Sequence, residues 1–230
     1  AEGSSSNKYR ILTTGNSELP SNDVYSLTVD RDGDVWIGTS EGTVVFECGS
    51  QMFSANGCRG RKVIVEEDEI GEHLFKTEIV TAIAADGADR KWFGTSSGIF
   101  VQSANAEETL LRFTAENSAL PSNQIIDIKI NPDNGEVFIA TEEGLVSYRS
   151  NSVTGGKTHA DSVLVFPNPV PSGYGGTIAI KGLTENADVR ITDVSGQLVY
   201  RTKAQGGQAV WNGQTYNGQR PVSGVYYVFV

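Results

Sequence analysis

The phrase Leu19-Pro20-Ser21-Asn22 returns letter for letter as Leu120-Pro121-Ser122-Asn123. The residues after each phrase are alike as well. After Asn22 come Val24–Asp30, a turn, and Val35-Trp36-Ile37-Gly38-Thr39-Ser40-Glu41-Gly42. After Asn123 come Ile125–Ile130, a turn, and Val137-Phe138-Ile139-Ala140-Thr141-Glu142-Glu143-Gly144. A third copy lies between them, with Ile79–Ala84, a turn, and Lys91-Trp92-Phe93-Gly94-Thr95-Ser96-Ser97-Gly98. Lys76-Thr77-Glu78 stands there in place of the Leu-Pro phrase. Recurrence of this kind restricts the chain to a repeat architecture.

Each copy reads strand, turn, strand, turn, strand. Val24–Val29 alternates polar with apolar side chains, as a half-buried strand does. Asp30-Arg31-Asp32-Gly33-Asp34 and Asp133-Asn134-Gly135 supply residues that tolerate tight-turn backbone angles. Short antiparallel strands joined by hairpins describe a propeller blade. Tyr9–Leu12 and Leu110–Phe113 precede the two Leu-Pro phrases and read as strands finishing a preceding unit. Trp36 and Trp92 lie 56 residues apart, Trp92 and Phe138 only 46. The first interval therefore holds an insertion of about ten residues, around the cysteines and Lys62–Phe75. Its run Glu66-Glu67-Asp68-Glu69 reads as a solvated loop. Three copies fall short of the roughly four to eight blades a propeller needs to close. We therefore expect this chain to be part of a larger protein, in preference to blades supplied by another chain.

Residues 151–160 are polar, include Gly155-Gly156, and read as a linker. Beyond it, Val163–Phe166, Thr177–Leu183, Asp188–Val194, Gln197–Lys203, Gln208–Trp211 and Gly224–Val230 read as six short strands. Their spacing suggests a small Ig-like β-sandwich. The expected fold is all-β: residues 1–150 the last blades of a propeller, 151–161 a linker, 162–230 the sandwich. The chain stops in Val225–Val230 without a polar tail, so a closing strand is expected to be missing.

Of 230 residues, 20% are charged and 38% hydrophobic, which is a globular balance. No apolar run approaches the roughly 20 residues that span a bilayer. The polar start, Ala1–Ser6, is no signal peptide, which fits a trimmed terminus and leaves export open. The net charge is −10, concentrated before Asp161. An acidic body argues against nucleic acid and anionic membrane as partners.

The cysteines, Cys48 and Cys58, are flanked by Gly49 and Gly57. They read as a disulfide in an exported protein, against two unrelated thiols or half a metal site. His73 and His159 are the only histidines, so a Cys/His zinc site is hard to assemble. Asp30, Asp32 and Asp34, with Glu41 at the twelfth position, have the acidic spacing of a calcium loop. But the glycine falls fourth, not sixth, and Glu41 lies beyond a strand. A hairpin turn explains the stretch better. Neither a catalytic motif nor a cofactor motif occurs, and no acid/base pair is apparent. Trp36, Trp92 and Phe138 share one place in the repeat. They could form an aromatic surface for glycans or peptides, but three rings at one position favour packing between blades.

The repeat Leu-Pro-Ser-Asn, an apolar strand and Asp-x-Asp-Gly-Asp-Val-Trp-Ile-Gly-Thr-x-x-Gly resembles the propeller repeat of periplasmic sensor regions in Bacteroidetes hybrid two-component regulators. The C-terminal part is similar to the type A sorting domain of the type IX secretion system. Its marks are Phe166-Pro167-Asn168-Pro169, then Ala187–Val199 with Asp193 and Gly196, Trp211-Asn212-Gly213, and Pro221-Val222-Ser223-Gly224-Val225-Tyr226-Tyr227. That family usually ends with one more strand, absent here.

The two resemblances together imply a non-enzymatic, exported protein without cofactor, at the cell surface and peripheral to the outer membrane. They imply a component of the type IX secretion and attachment machinery that acts by binding. Its implied partners are proteins of that complex and anionic lipopolysaccharide. The alternative they leave is an exported sensor or glycan-binding propeller that carries the sorting domain as a passenger signal.

Overall fold

The computed structural model describes residues 9–49, 51, 57–67 and 70–230. The polar start of the chain, and Asp68 and Glu69 of the acidic run, lie outside the described residues. The fold is all-β: propeller blades followed by an Ig-like sandwich. The chain divides into two units. The first takes the described residues up to Ala85, with Asp89–Lys129 and Phe138–Ser147. The second takes Asp86–Ala88, Ile130–Val137 and Tyr148–Val230.

Three sheets correspond to the three repeats. One is β1 (Val24–Val29), β2 (Val35–Thr39) and β3 (Gly42–Phe46), in that order. After the hairpin of β4 (Ile64–Glu67) and β5 (Ile70–His73) comes a four-stranded sheet. It orders β6 (Val80–Ala85), β7 (Lys91–Thr95), β8 (Gly98–Gln102) and β9 (Thr109–Phe113). The last orders β10 (Ile125–Ile130), β11 (Glu136–Thr141) and β12 (Gly144–Arg149). Two readings change. Glu66 and Glu67 belong to β4, paired with Gly71 and Ile70 of β5, not to a loop. Tyr9–Leu12 forms no strand, and Tyr9 and Ile11 are 88% and 73% exposed.

The repeated residues build repeated joints. At the second turn of each blade, a threonine hydroxyl donates to the carbonyl of a glycine three residues on. The pairs are Thr39–Gly42 (2.9 Å), Thr95–Gly98 (3.2 Å) and Thr141–Gly144 (3.0 Å). These glycines have φ of 98°, 109° and 142°, where a side chain would be strained. The Leu-Pro phrase closes a longer loop. Leu19 and Leu120 are buried plugs. Asn22 accepts from the Thr14 amide at 3.0 Å, and Asn123 from the Ala115 amide at 2.8 Å. Asn16 and Asn117 likewise accept from the amides of Thr13 and Thr114. The phrase is therefore the end of a loop that satisfies its own backbone groups.

Successive blades approach closely. The Ser26 hydroxyl donates to the Val80 carbonyl (3.0 Å), and the Thr81 hydroxyl to that of Ile125 (2.6 Å). The Gly42 amide reaches the Glu78 carbonyl, and the Gly98 amide that of Asn123. A Cβ on Gly38 would lie 2.6 Å from the Val80 carbonyl oxygen, and one on Gly94 2.5 Å from Ile125 Cγ2. Ala140 holds the corresponding place in the third blade.

The second unit holds the sandwich. One sheet orders β13 (Leu164–Phe166), β14 (Ile178–Lys181) and β17 (Gln208–Trp211). The other orders β16 (Leu198–Lys203), β15 (Asp188–Asp193) and β18 (Tyr226–Phe229). Between them lie Ile178, Ile180, Leu183, Val189, Ile191 and Trp211. Within the stretch read as a linker, two residues are covered and the rest are mostly exposed. Ser152 and Val153 are buried. The Thr154 amide bonds the Pro132 carbonyl and the Gly207 amide that of Val153. Val153 also bridges Gly206, and Gly156 bridges Thr184.

If blade approach sets stability, Gly38→Ala will cost about 1–3 kcal/mol by overpacking against Val80. Ala140→Gly will cost below about 1 kcal/mol, an entropic effect. Urea unfolding of the two variants measures the difference.

Candidate functional site

Trp36 and Trp92 are buried, whereas Phe138 is 39% exposed. Trp36 meets Phe93 of the next blade edge-on, with ring centroids 5.9 Å apart, and Trp92 stacks on Phe113 at 6.0 Å. Trp36 thus packs between blades, while Trp92 packs against the outer strand of its own sheet. Among the described residues of the first unit no strand follows β12, which accounts for the exposure of Phe138.

The Trp36 joint contains a charge cluster that pattern reading missed. Lys91, at the start of β7, is fully buried. Its ammonium bonds Asp30 Oδ2 at 3.0 Å, Asp89 Oδ2 at 2.8 Å and the Asp89 carbonyl at 2.8 Å. All three of its N–H donors are thereby used. The ammonium also sits 5.3 Å from the Trp36 ring centroid. Asp30 Oδ2 accepts from the Trp36 indole at 2.8 Å. Asp30 Oδ1 accepts from the amides of Asp32 and Asp34, and Asp89 Oδ1 from that of Arg31. Burial opposes the charge on Asp30. The bonds from Trp36, the Asp34 amide and Lys91 outweigh it and hold the carboxyl below the ordinary aspartate range. Both oxygens of Asp30 are thus committed to the protein's own donors. The signal was present in the sequence: Lys91 interrupts a strand at a place where the sister copies have Val35 and Val137.

Cys48 and Cys58 are joined in a disulfide with Cα atoms 6.0 Å apart, within the usual bridging range. Among the described residues, no three His, Cys, Asp or Glu side chains group as metal ligands do. Among them, too, no helix is long and apolar enough to cross a membrane.

In the second unit the sorting-motif residues occupy corners of the sandwich. Pro167, Asn168 and Pro169 follow β13, and the Phe166–Pro167 and Asn168–Pro169 peptides are cis. Asp193 closes the β15–β16 turn, accepting from the Ser195 hydroxyl and the amides of Ser195 and Gln197, and Gly196 takes φ 86° there. Asp193 is also the cross-strand partner of Tyr226. Tyr226 donates to the Val222 carbonyl, which fixes the corner of Pro221 and Gly224, and its ring meets Trp211 at 6.0 Å. Asp193, Gly196 and Tyr226 thus share one end of a sheet, while Pro167–Pro169 belong to the other sheet.

The chemistry that faces outward lies between these corners. Arg190 is the cross-strand partner of Arg201 on one side and of Phe229 on the other, and Thr192 is paired with Leu198. With Gly196 these residues line an open cavity of about 540 Å³. Asp188 orients both guanidiniums, taking two bonds from Arg201 (2.6 and 3.1 Å) and the Arg190 Nε at 3.0 Å. Those bonds, Arg201's foremost, hold the Asp188 carboxyl below its ordinary range. One carboxylate against two guanidiniums leaves a net positive face with further N–H donors to offer. Leu198, Tyr227 and Phe229 stand about half exposed around it.

Comparison with known proteins finds likenesses in both parts of the chain. The sequence matches the two component regulator propeller family over residues 18–41 and the secretion system C-terminal sorting domain over residues 164–230. It is similar to the solved structure of PorZ, described as an essential bacterial surface component of the type-IX secretion system of Porphyromonas gingivalis. Identity is 31% and the TM-score 0.59, over 89% of this chain and 28% of that one. This chain is PorZ-like. It spans little more than a quarter of PorZ's length. The extracellular domains of two hybrid two component systems from B. thetaiotaomicron are more distant. One has 16% identity and a TM-score of 0.45 over 80% of this chain and 23% of that one. The other has 17% and 0.36, over 79% and 29%. No curated protein matches the sequence significantly.

The depressed Asp30 acidity fixes a pH dependence. A carboxyl whose folded pKa lies below its unfolded value, about 3.9, contributes stability that is complete above that value. The contribution is lost as pH falls through the folded value. At pH 7, Asp30→Asn will be less stable than the parent by about 3 kcal/mol. The gap will narrow as the pH falls toward about 3, as read by urea midpoints across that range.

Proposed function

We propose that this chain belongs to a non-enzymatic cell-surface component of the type IX secretion and attachment machinery, acting by binding. The observation that carries the reading is the order of parts. Propeller blades run directly into a sorting domain, with 31% identity to PorZ across 89% of the chain. We divide the chain into propeller blades at 1–150, a joining stretch at 151–161 and the sorting-type sandwich at 162–230. The packing of Ser152 and Val153 supports a sandwich held as part of the working protein over one carried as a passenger.

The proposed partners are proteins of the secretion complex and anionic lipopolysaccharide, reached at the outer membrane surface after export. The Arg190–Arg201 face suits an anionic partner by charge, and its flanking Phe229 and Leu198 suit a partner with apolar surface. Asp193, at the β15–β16 turn, and Tyr226, its partner on β18, would shape the domain without touching either partner.

Deleting the encoding gene should leave cargo made but no longer anchored at the surface. Restoring the full-length protein with Arg190→Glu and Arg201→Glu should return the protein to the surface while restoring anchoring several-fold less well than the parent. Fractionation and surface labelling of cargo read both outcomes. Normal anchoring in the deletion strain would contradict the reading, leaving the sensor or glycan-binding alternative.

A further inference from the structure

The blades are near copies, and apolar packing alone says little about which should come after which. Tyr25, Leu27 and Val29 on β1 are 55%, 67% and 59% exposed, so an unfilled apolar face is presented to any passing blade. We propose that the Lys91–Asp30–Asp89 cluster is a registry key that admits only the Lys91 blade behind the Asp30 blade.

Asp30 and Lys91 have side chains 4% and 0% exposed, and neither can turn to water without opening the joint. Behind the Asp30 blade, a wrong neighbour would offer Val35 or Val137 at the place of Lys91. The Asp30 carboxylate would then be buried without a cation, a far worse state than an exposed mismatch. Behind the third blade, Lys91 would meet the uncharged Asn131 in place of Asp30. The corresponding turn of the second blade is satisfied by other means. Asp86, 2% exposed, accepts from the Ala88 amide at 2.9 Å and lies 3.5 Å from the Ser152 hydroxyl, a residue beyond the third blade. Equivalent aspartates therefore carry different partners, and the difference specifies order by penalising the alternatives.

The test is refolding of the full chain from urea, read by native mass spectrometry and by the number of amide resonances. Asp30→Asn/Lys91→Met removes both charges of the Asp30–Lys91 contact and leaves one carboxylate, Asp89, which keeps its bond from the Arg31 amide. It should melt above Lys91→Met, which strands two carboxylates. It should also populate intermolecular blade pairings or a second set of resonances roughly threefold or more above the parent. If the double variant refolds to the same distribution of species as the parent, the cluster sets no register and the proposal fails. Should the double variant not fold, Asp30→Asn alone decides, since the asparagine oxygen can keep the bonds from the Asp32 and Asp34 amides while the charge is removed. It must show the same added species, and the parental distribution would overturn the proposal.

Discussion

The approach of one blade's inner strand to the next governs this structure. Where another blade comes next, glycine stands at the point of closest contact, with Gly38 against Val80 and Gly94 against Ile125. In the first joint the indole two residues earlier fills the space beside it, as Trp36 does against Phe93. A small residue and a large one at a fixed interval let two sheets meet without a void, which is how interiors reach crystal-like density. Hydroxyl-to-carbonyl bonds from Ser26 and Thr81 then satisfy inner-strand groups that packing would otherwise strand.

Close approach removes water, and removing water makes any charge in the joint expensive unless it is fully paired. The ammonium of Lys91 meets that condition with three acceptors and an aromatic face. The same condition holds for its partner: both oxygens of Asp30 are taken up by the protein's own donors. In the sandwich the balance is reversed. Asp188 serves two arginines at once and leaves both with donors to spare, on a face open to solvent. The buried cluster is closed chemistry, and the open face is where recognition can occur.

Much of this was legible in the sequence because it depends on local spacing. The Thr-x-x-Gly turns, the Leu-Pro loops, the six sandwich strands and the cysteine bridge each come from residues a few positions apart. Long-range satisfaction was not legible. Lys91 draws on Asp30, a residue of the preceding blade, and no periodicity reports that. Phe138 could be aligned with Trp36 and Trp92, but alignment says nothing of whether a sheet lies over the ring. Residues 151–156 are polar and glycine-rich, so composition reads as linker. Ser152 and Val153 are nonetheless buried, through close backbone contacts: a Cβ on Gly87 would lie 2.0 Å from the Val153 carbonyl carbon. Glu66 and Glu67 carry charge enough for a loop, yet ladder pairing with Gly71 and Ile70 makes them a strand.

Two kinds of surface thus divide the labour, with blade joints that hold an architecture and a sandwich face that presents charge. The central claim is that consecutive blades behave as one cooperative body through the Trp36–Lys91 joint. Native-state hydrogen exchange tests this directly. The amides of β2, β6 and β7 should share one opening free energy, while that of Leu145, on the uncovered β12, exchanges sooner. Independent exchange of β2 and β7, each at its own rate and with its own denaturant dependence, would contradict it.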